Sequence, residues 1–334
     1  MTIENRVKVF TQLGAFLNTL GEEEFKSIAE RAKIENPWFT EGNLRMAVSN
    51  LSSYLEEKNL FQWLSAYPLT THRPKTIALI LAGNIPMVGF HDILCVLING
   101  DTALIKLSSK DKVLIKWLTE KIIQLDSRFA DKIKYTEQLK DFDAVIATGS
   151  DNSSRYFDYY FGKYPHIIRK NRTSVAVLDG TESESEMTQL GSDVFTYFGL
   201  GCRNVSKLFV PAGYKFDKLF ESWESFFEVI NHHKYFNNYT YQRTVLLLSN
   251  TPFLDNGFVL LQENEKFVSP ISIVYYEYYN TTDELAEKLL SSRQKLQCIV
   301  GKTASANVRY GQTQCPGLND YADGVDTLGF LNKL

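Results

Sequence analysis

Ile77-Ala78-Leu79-Ile80-Leu81-Ala82-Gly83-Asn84-Ile85-Pro86 is the stretch that decides the fold. Six apolar residues in a row leave no polar face, as in a strand buried on both sides of a parallel sheet. The run stops at a glycine. A helical stretch then begins near Pro86 and continues from Asp92 to Asn99. The same phrase recurs downstream. Thr102 to Leu107 reads as a second strand and Lys110 to Leu125 as an amphipathic helix. Phe142 to Ala147 is a third strand, followed by a helix from Asn152 to Phe161. Ser174 to Leu178 is a fourth, and Ser183 to Phe198 a helix. Strands alternating with helices of about 10 to 15 residues predict an α/β fold around parallel sheets.

Before this region the first 70 residues read as helical. Val7, Phe10, Leu13, Phe16 and Leu17 recur at helical spacing, as do Met46, Val48, Leu51 and Leu55. Asn36-Pro37-Trp38-Phe39 interrupts them, and Thr40 is a cap with Glu41 in the first turn. The second half repeats the theme. Apolar runs occur at Lys207-Val210, Val245-Leu248, Phe258-Leu261, Ile271-Tyr276 and Cys298-Val300, with helices near Asp217-Ile230 and Asp283-Arg293. Gly162, Pro165 and the basic run Arg169-Lys170-Asn171-Arg172 interrupt the pattern. A domain division is therefore expected near 162–172, giving residues 1–168 and 169–334.

The bulk composition excludes several classes. With 44% hydrophobic and 22% charged residues the chain is globular. Its net charge of −3, from 36 basic and 39 acidic residues, argues against a nucleic-acid partner. No stretch approaches the roughly 18 apolar residues of a membrane span. The N-terminus, with acidic Glu4, does not read as a signal peptide. Cys95, Cys202, Cys298 and Cys315 are widely spread without a Cys-x-x-Cys, which suggests a reducing cytoplasm and neither disulfides nor zinc. His232-His233 lacks a nearby third ligand, so no metal site is expected.

Chemistry concentrates in two places. One is Phe198-Gly199-Leu200-Gly201-Cys202-Arg203-Asn204, between a helix and the strand-like Lys207-Leu208-Phe209-Val210-Pro211. Two glycines let the backbone bend and leave the sulfur uncrowded. A thiol on such a turn suits a nucleophile, and a small buried hydrophobe is the alternative. The other place is the set of carboxyl ends of the parallel strands, where ligands gather. The first strand ends in Gly83-Asn84-Ile85-Pro86, the second in Lys106-Leu107-Ser108-Ser109-Lys110, the third in Thr148-Gly149-Ser150. An amide, an ammonium and a small-residue turn opening a helix suit a phosphate-bearing cofactor. The usual dinucleotide fingerprint, the P-loop and the Gly-x-Ser-x-Gly elbow are absent.

The order of these motifs resembles the aldehyde dehydrogenase superfamily over about residues 75–275. The resemblance implies that Asn84 helps form an oxyanion hole and that Lys106 holds the adenosine ribose. It implies that Gly149 and Ser150 lie by the pyrophosphate and that Cys202 is the nucleophile. Lys207, Phe209 and Val210 match the family pattern downstream of the cysteine. Glu265-Lys266-Phe267 with Pro270 resembles the Glu-x-Phe motif, whose Glu holds the nicotinamide ribose. The implied fold is two parallel-sheet α/β domains behind a helical N-terminal segment, with a dinucleotide-binding first domain and a catalytic second domain carrying Cys202 and the C-terminal tail. No counterpart of the superfamily's oligomerising hairpin stands out, and homo-oligomerisation stays open.

Two departures refine this. Oxidising members carry a Glu that activates water, whereas Pro165 to Asp179 has no acidic residue before Asp179. Without a positioned base the thioester would be hydrolysed slowly. The Lys-Pro-Ser-Glu of NAD-preferring members is here Lys106-Leu107-Ser108-Ser109, followed by Lys110, which favours NADPH over NADH. The nearest resemblance is to the bacterial acyl-CoA reductase family, which includes the reductase of luminescence fatty-acid reductase systems. Gly83-Asn84-Ile85-Pro86, Lys106-Leu107-Ser108-Ser109, Pro316-Gly317 and Asp323-Gly324-Val325-Asp326 carry it. It implies reduction of acyl-CoA, or of another acyl thioester delivered by a protein partner, to an aldehyde through an S-acyl cysteine. His166 is open as an acid–base group or as a structural histidine. Arg203 is open as a group lowering the thiol pKa or as a solvent-facing one. The rival readings are an acyltransferase or thioesterase using the same acyl-cysteine, and a non-catalytic protein retaining the fold.

Overall fold

Four helices precede the first strand: α1 (Ile3–Asn18), α2 (Glu22–Glu35), α3 (Glu41–Tyr54) and α4 (Glu57–Leu64). The computed structural model describes residues 1–68, 73–149 and 151–334. Thr40 caps α3 as its sequence predicts, its hydroxyl accepting from the Asn43 amide. The alternating region then gives β1 (Thr76–Ile80), α5 (Phe90–Asn99), β2 (Thr102–Lys106), α6 (Lys112–Leu125), β3 (Ile133–Tyr135), β4 (Ala144–Thr148), α7 (Asp151–Phe161) and β5 (His166–Arg169). The sheet order is β3-β2-β1-β4-β5, with every pairing parallel. Ile77, Ala78 and Leu79 are fully buried, as their unbroken apolar run requires. Strand order reverses between β1 and β4, so the switch point lies beside the turn that carries Asn84.

The second unit holds β6 (Thr173–Val177), α8 (Glu184–Phe195), β7 (Val205–Pro211), α9 (Asp217–Trp223), α10 (His233–Leu248), β8 (Leu254–Asp255), β9 (Leu260–Glu263), β10 (Ile273–Tyr279), α11 (Thr282–Ser291) and β11 (Leu296–Gly301). Its sheet runs β11-β6-β7-β10-β9-β8, parallel except for the β8–β9 pair. Val245–Leu248, an apolar run grouped with the strands in the sequence, is instead the last turn of α10. Its leucines Leu247 and Leu248 are exposed, so the run does not mark a buried strand. The apolar run Ile271–Tyr276 supplies the first half of β10, an interior strand between β7 and β9.

Chain contacts divide the molecule into Met1–Asn171 with Gly317–Leu334, and Arg172–Pro316. The tail was expected to close the second domain. It returns to the first unit, where it carries α12 (Thr327–Leu331). Aromatic packing and a buried ion pair account for this. Tyr321 stacks on His91 at 5.2 Å between ring centroids and accepts from the Trp63 indole at 2.7 Å. Tyr67 donates to Asp326 at 2.9 Å. Arg169 is buried, bonded to both carboxylate oxygens of Asp92 and to Thr327 Oγ1 at 2.9 Å. Removing either charge would strand the other away from water.

His91 shares this enclosure, and its Nε2 is shut from solvent without a hydrogen bond. Burial lowers its pKa from 6.5 to about 4, against the opposing pull of Asp92. The folded state therefore takes up its proton later than the unfolded chain does. Stability falls as pH drops through the window between 6.5 and 4, by on the order of 3 kcal/mol from this group. Thermal unfolding of His91→Phe followed from pH 7 to 4 should show a smaller loss of Tm than the wild type. Parallel curves would remove His91 as the titrating group.

Candidate active site

The Cys202 turn is built by the end of α8. Tyr197, Phe198 and Gly199 all have positive φ, at 52°, 56° and 76°. A glycine accepts this region freely, but each of the two aromatic residues is strained by about 1–3 kcal/mol. Packing holds them there. Both are buried, and the Phe198 ring lies 4.5 Å from that of His232. Asn204 then locks the turn. Its buried amide donates to the carbonyls of Asp193, Val194 and Thr196 at 3.1, 3.3 and 2.8 Å. These include carbonyls left open where α8 ends. Its Oδ1 accepts from Gly201 N at 2.8 Å.

Around this lock, Ser174 Oγ of β6 donates to the Cys202 carbonyl at 3.0 Å. Arg203 donates through Nε to the Thr313 carbonyl. Asp193, also buried, accepts from Gly311 N at 2.7 Å and from Thr313 N at 3.0 Å. Burial pushes the Asp193 carboxyl up, and those donors pull it back. Cys202 is half-buried and forms no disulfide. The turn thus carries its thiol on a hydrogen-bonded backbone, and the next residue, Arg203, is tied to the loop at Thr313. Asn204 and Asp193 are the residues that the sequence reading missed. An Asn two positions after a cysteine has no periodic signal, because its partners lie on the preceding helix.

Glu265 belongs to the same unit and lies after β9, in the loop Asn264–Phe267, with an exposed side chain. A narrow crevice adjoins the turn, lined by Phe198, Gly199, Val205, Ser206, Tyr235 and the stretch Ser269–Val274 among others.

In the first unit, the structure brings Asn84, Lys106, Thr148 and Gly149 to one edge of the sheet, at the carboxyl ends of β1, β2 and β4. Lys106 and Ser109 are exposed. A Cβ on Gly83 would come within 2.5 Å of Ser108 Oγ, so the Asn84 turn presses directly on the Ser108–Asp111 turn. Asp111 reinforces that contact. It is buried, accepts from Met87 N at 2.8 Å, and burial pushes its pKa up to about 8. The N-terminus of α6 is already capped by the Glu35 carboxylate, at 2.7 Å from Lys112 N and 3.0 Å from Val113 N.

His166 is not brought to that edge. It starts β5, pairs with Val145 near the amino end of β4, and is exposed with Nδ1 2.8 Å from the Tyr164 carbonyl. The carboxyl end of β5 carries Arg169, paired with Asp92. Ser150 lies outside the described residues. Among the described residues no group of three or more His, Cys, Asp or Glu could hold a metal, and no helix is long and apolar enough to cross a membrane.

A family model described as acyl-CoA reductase (LuxC) matches residues 50–218, half of the chain. The chain belongs to the acyl-CoA reductase (LuxC) family. It is thus an oxidoreductase of the acyl-CoA reductase type. Solved structures that it resembles include aldehyde dehydrogenases. Aldehyde dehydrogenase 21 from Physcomitrella patens, in complex with succinate, has a TM-score of 0.65 at 12% identity, over 91% of this chain and 74% of that one. The NAD+ complex of aldehyde dehydrogenase from Bacillus cereus has a TM-score of 0.62 at 13% identity, over 91% and 72%. Aldehyde dehydrogenase C from Pseudomonas syringae, complexed with NAD+ and octanal, has 0.63 at 11%, over 86% and 70%. These likenesses establish the fold. A search of curated proteins found no match.

The turn is tied to the end of α8 through Asn204. Replacing Asn204 with Ala leaves several buried carbonyls without a donor, each costing about 1–3 kcal/mol. Alkylation of Cys202 by iodoacetamide in native Asn204→Ala protein should change at least tenfold, with a lowered Tm. An unaltered alkylation rate and Tm would show that the turn holds without the amide.

Proposed function

We propose that this LuxC-family chain is an NADPH-dependent reductase that converts an acyl thioester, acyl-CoA in the first instance, to an aldehyde through an S-acyl intermediate on Cys202. The observation that carries the proposal is the Cys202 turn itself: a half-buried thiol on a backbone fixed by Asn204, in a chain of this family. In this reading the Cys202 thiolate attacks the acyl carbonyl and the CoA thiolate leaves. Asn84 stabilises the oxyanion with its side-chain amide, a role assigned by its place in the Gly83-Asn84-Ile85-Pro86 turn. A donor of that kind typically contributes on the order of 10²-fold to the rate.

A bound nicotinamide supplies the hydride that takes the S-acyl cysteine to the aldehyde level. The carboxyl edge of the first sheet fits such a cofactor. It offers exposed Lys106 and Ser109 at the end of β2, and the Gly149 turn at the end of β4. Lys106 and Lys110 favour a ribose 2′-phosphate, and Ser109 stands where NAD-preferring relatives carry a Glu. Glu265 is assigned to the nicotinamide ribose. Where oxidising relatives hold a water-activating carboxylate, the residues from Pro165 to Asp179 offer Arg169, already neutralised by Asp92. The acyl group therefore waits for hydride instead of water.

Anaerobic absorbance at 340 nm with NADPH and acyl-CoAs of graded length tests this. The expected result is acyl-dependent loss of NADPH that disappears in Cys202→Ala. In Ser109→Glu, the ratio of kcat/KM for NADPH over NADH should fall at least tenfold. Undiminished turnover in Cys202→Ala would overturn the proposal.

A further inference from the structure

Lys207 is an unusual residue to find inside β7. It is completely buried, and its ammonium sits 4.8 Å from the centroid of the Phe209 ring and 5.2 Å from that of Phe267. An ammonium has three N–H donors and none can be left unpaired in such a place. Each has a partner. Nζ donates to the Asn264 carbonyl at 2.9 Å, to the Glu265 carbonyl at 3.0 Å, and to Glu277 Oε2. Glu277 is on the adjoining strand β10, and its other oxygen takes Lys288 of α11. Burial pushes the Lys207 pKa down, partly offset by Glu277. Burial also works against the Glu277 charge, but Lys207 and Lys288 hold that carboxyl below its usual range.

The two carbonyls matter most. The Asn264 carbonyl belongs to the peptide plane before Glu265, and the Glu265 carbonyl to the plane after it. Holding both carbonyls on one ammonium restrains φ and ψ of Glu265, and with them the direction of its Cα–Cβ bond. Neighbouring contacts extend the hold. Ser206 Oγ donates to the Phe267 carbonyl at 2.6 Å, Asn264 N donates to the Tyr276 carbonyl at 3.0 Å, and Lys266 N donates to Asn264 Oδ1 at 3.0 Å. The Glu265 side chain is left exposed at the tip of a loop pinned at every residue.

We propose that Lys207 is a positioning residue for the cofactor, acting through the backbone of Glu265, so that the strand leaving the Cys202 turn also sets the group that grips the nicotinamide ribose. The inference rests on the assignment of Glu265 to that ribose. The charge network of Lys207, Glu277 and Lys288 then serves the aim of Glu265, and Ser206 is its neutral companion.

A double-mutant cycle on NADPH binding, read as Kd by quenching of protein fluorescence, tests it. Lys207→Met keeps most of the stem and removes the donors. Kd should rise at least tenfold in Lys207→Met and in Glu265→Ala. In the Glu265→Ala background, Lys207→Met should add less than twofold, because the side chain it aims is gone. An undiminished effect in that background, or an unchanged Kd in Lys207→Met alone, would overturn the proposal. An unchanged Kd in Glu265→Ala would instead reject the parent assignment of Glu265. Should Lys207→Met not fold, Ser206→Ala runs the same cycle, with a severalfold rise in Kd expected and again lost without Glu265. A Ser206 effect that survives the loss of Glu265 counts against the inference.

Discussion

The buried carboxamide of Asn204 is the interaction on which the second unit depends. It closes the end of α8 onto the turn that carries Cys202, so one side chain both satisfies open carbonyls and sets the thiol's backbone. Tyr197 and Phe198 could not otherwise keep left-handed conformations next to Gly199. Strain at such a place is maintained by its surroundings, and here those surroundings are a helix end, two aromatic contacts and the Asp193–Thr313 tie. The setting of the Cys202 thiol is a property of this assembly and not of the cysteine alone.

From that turn the chain runs straight into β7, and β7 organises the rest. Ser206 and Lys207 hold the loop that bears Glu265, and Lys207 joins Glu277 of the next strand. The first unit is organised in a comparable way around β1. The Asn84 turn presses on the Ser108–Asp111 turn through a glycine that has no room for a Cβ. Each unit therefore fixes one turn, that of Asn84 or that of Cys202, by direct contact with a neighbouring element.

Much of this was legible in the sequence, for identifiable reasons. The unbroken run at Ile77–Ala82 announced a buried parallel strand, and Gly83-Asn84, Lys106 and Thr148-Gly149 announced where the strands of that sheet end, because strand ends and turns are local features. The C-terminal tail was not legible. Its return to the first unit depends on Tyr321 meeting His91 and Trp63, contacts between residues more than 200 positions apart. Val245–Leu248 misled because a short apolar run fits a strand or a helix end equally well. The short strands β3 and β5 escaped notice, the latter because its Arg169 reads as part of a basic surface run while its side chain is buried on Asp92. His166 was judged by residue type, and its place at the amino end of β5 could come only from the pairing with β4.

The central claim is that Cys202 carries the acyl group and that hydride, not water, removes it. Intact-protein and peptide mass spectrometry of the enzyme mixed with acyl-CoA alone tests this most directly. The account predicts one added acyl mass on the peptide containing Cys202, stable for many turnover times in buffer and discharged as aldehyde when NADPH is added. Acyl-CoA reduction by an enzyme whose Cys202 stays unmodified, or rapid release of free acid before NADPH is added, would contradict it.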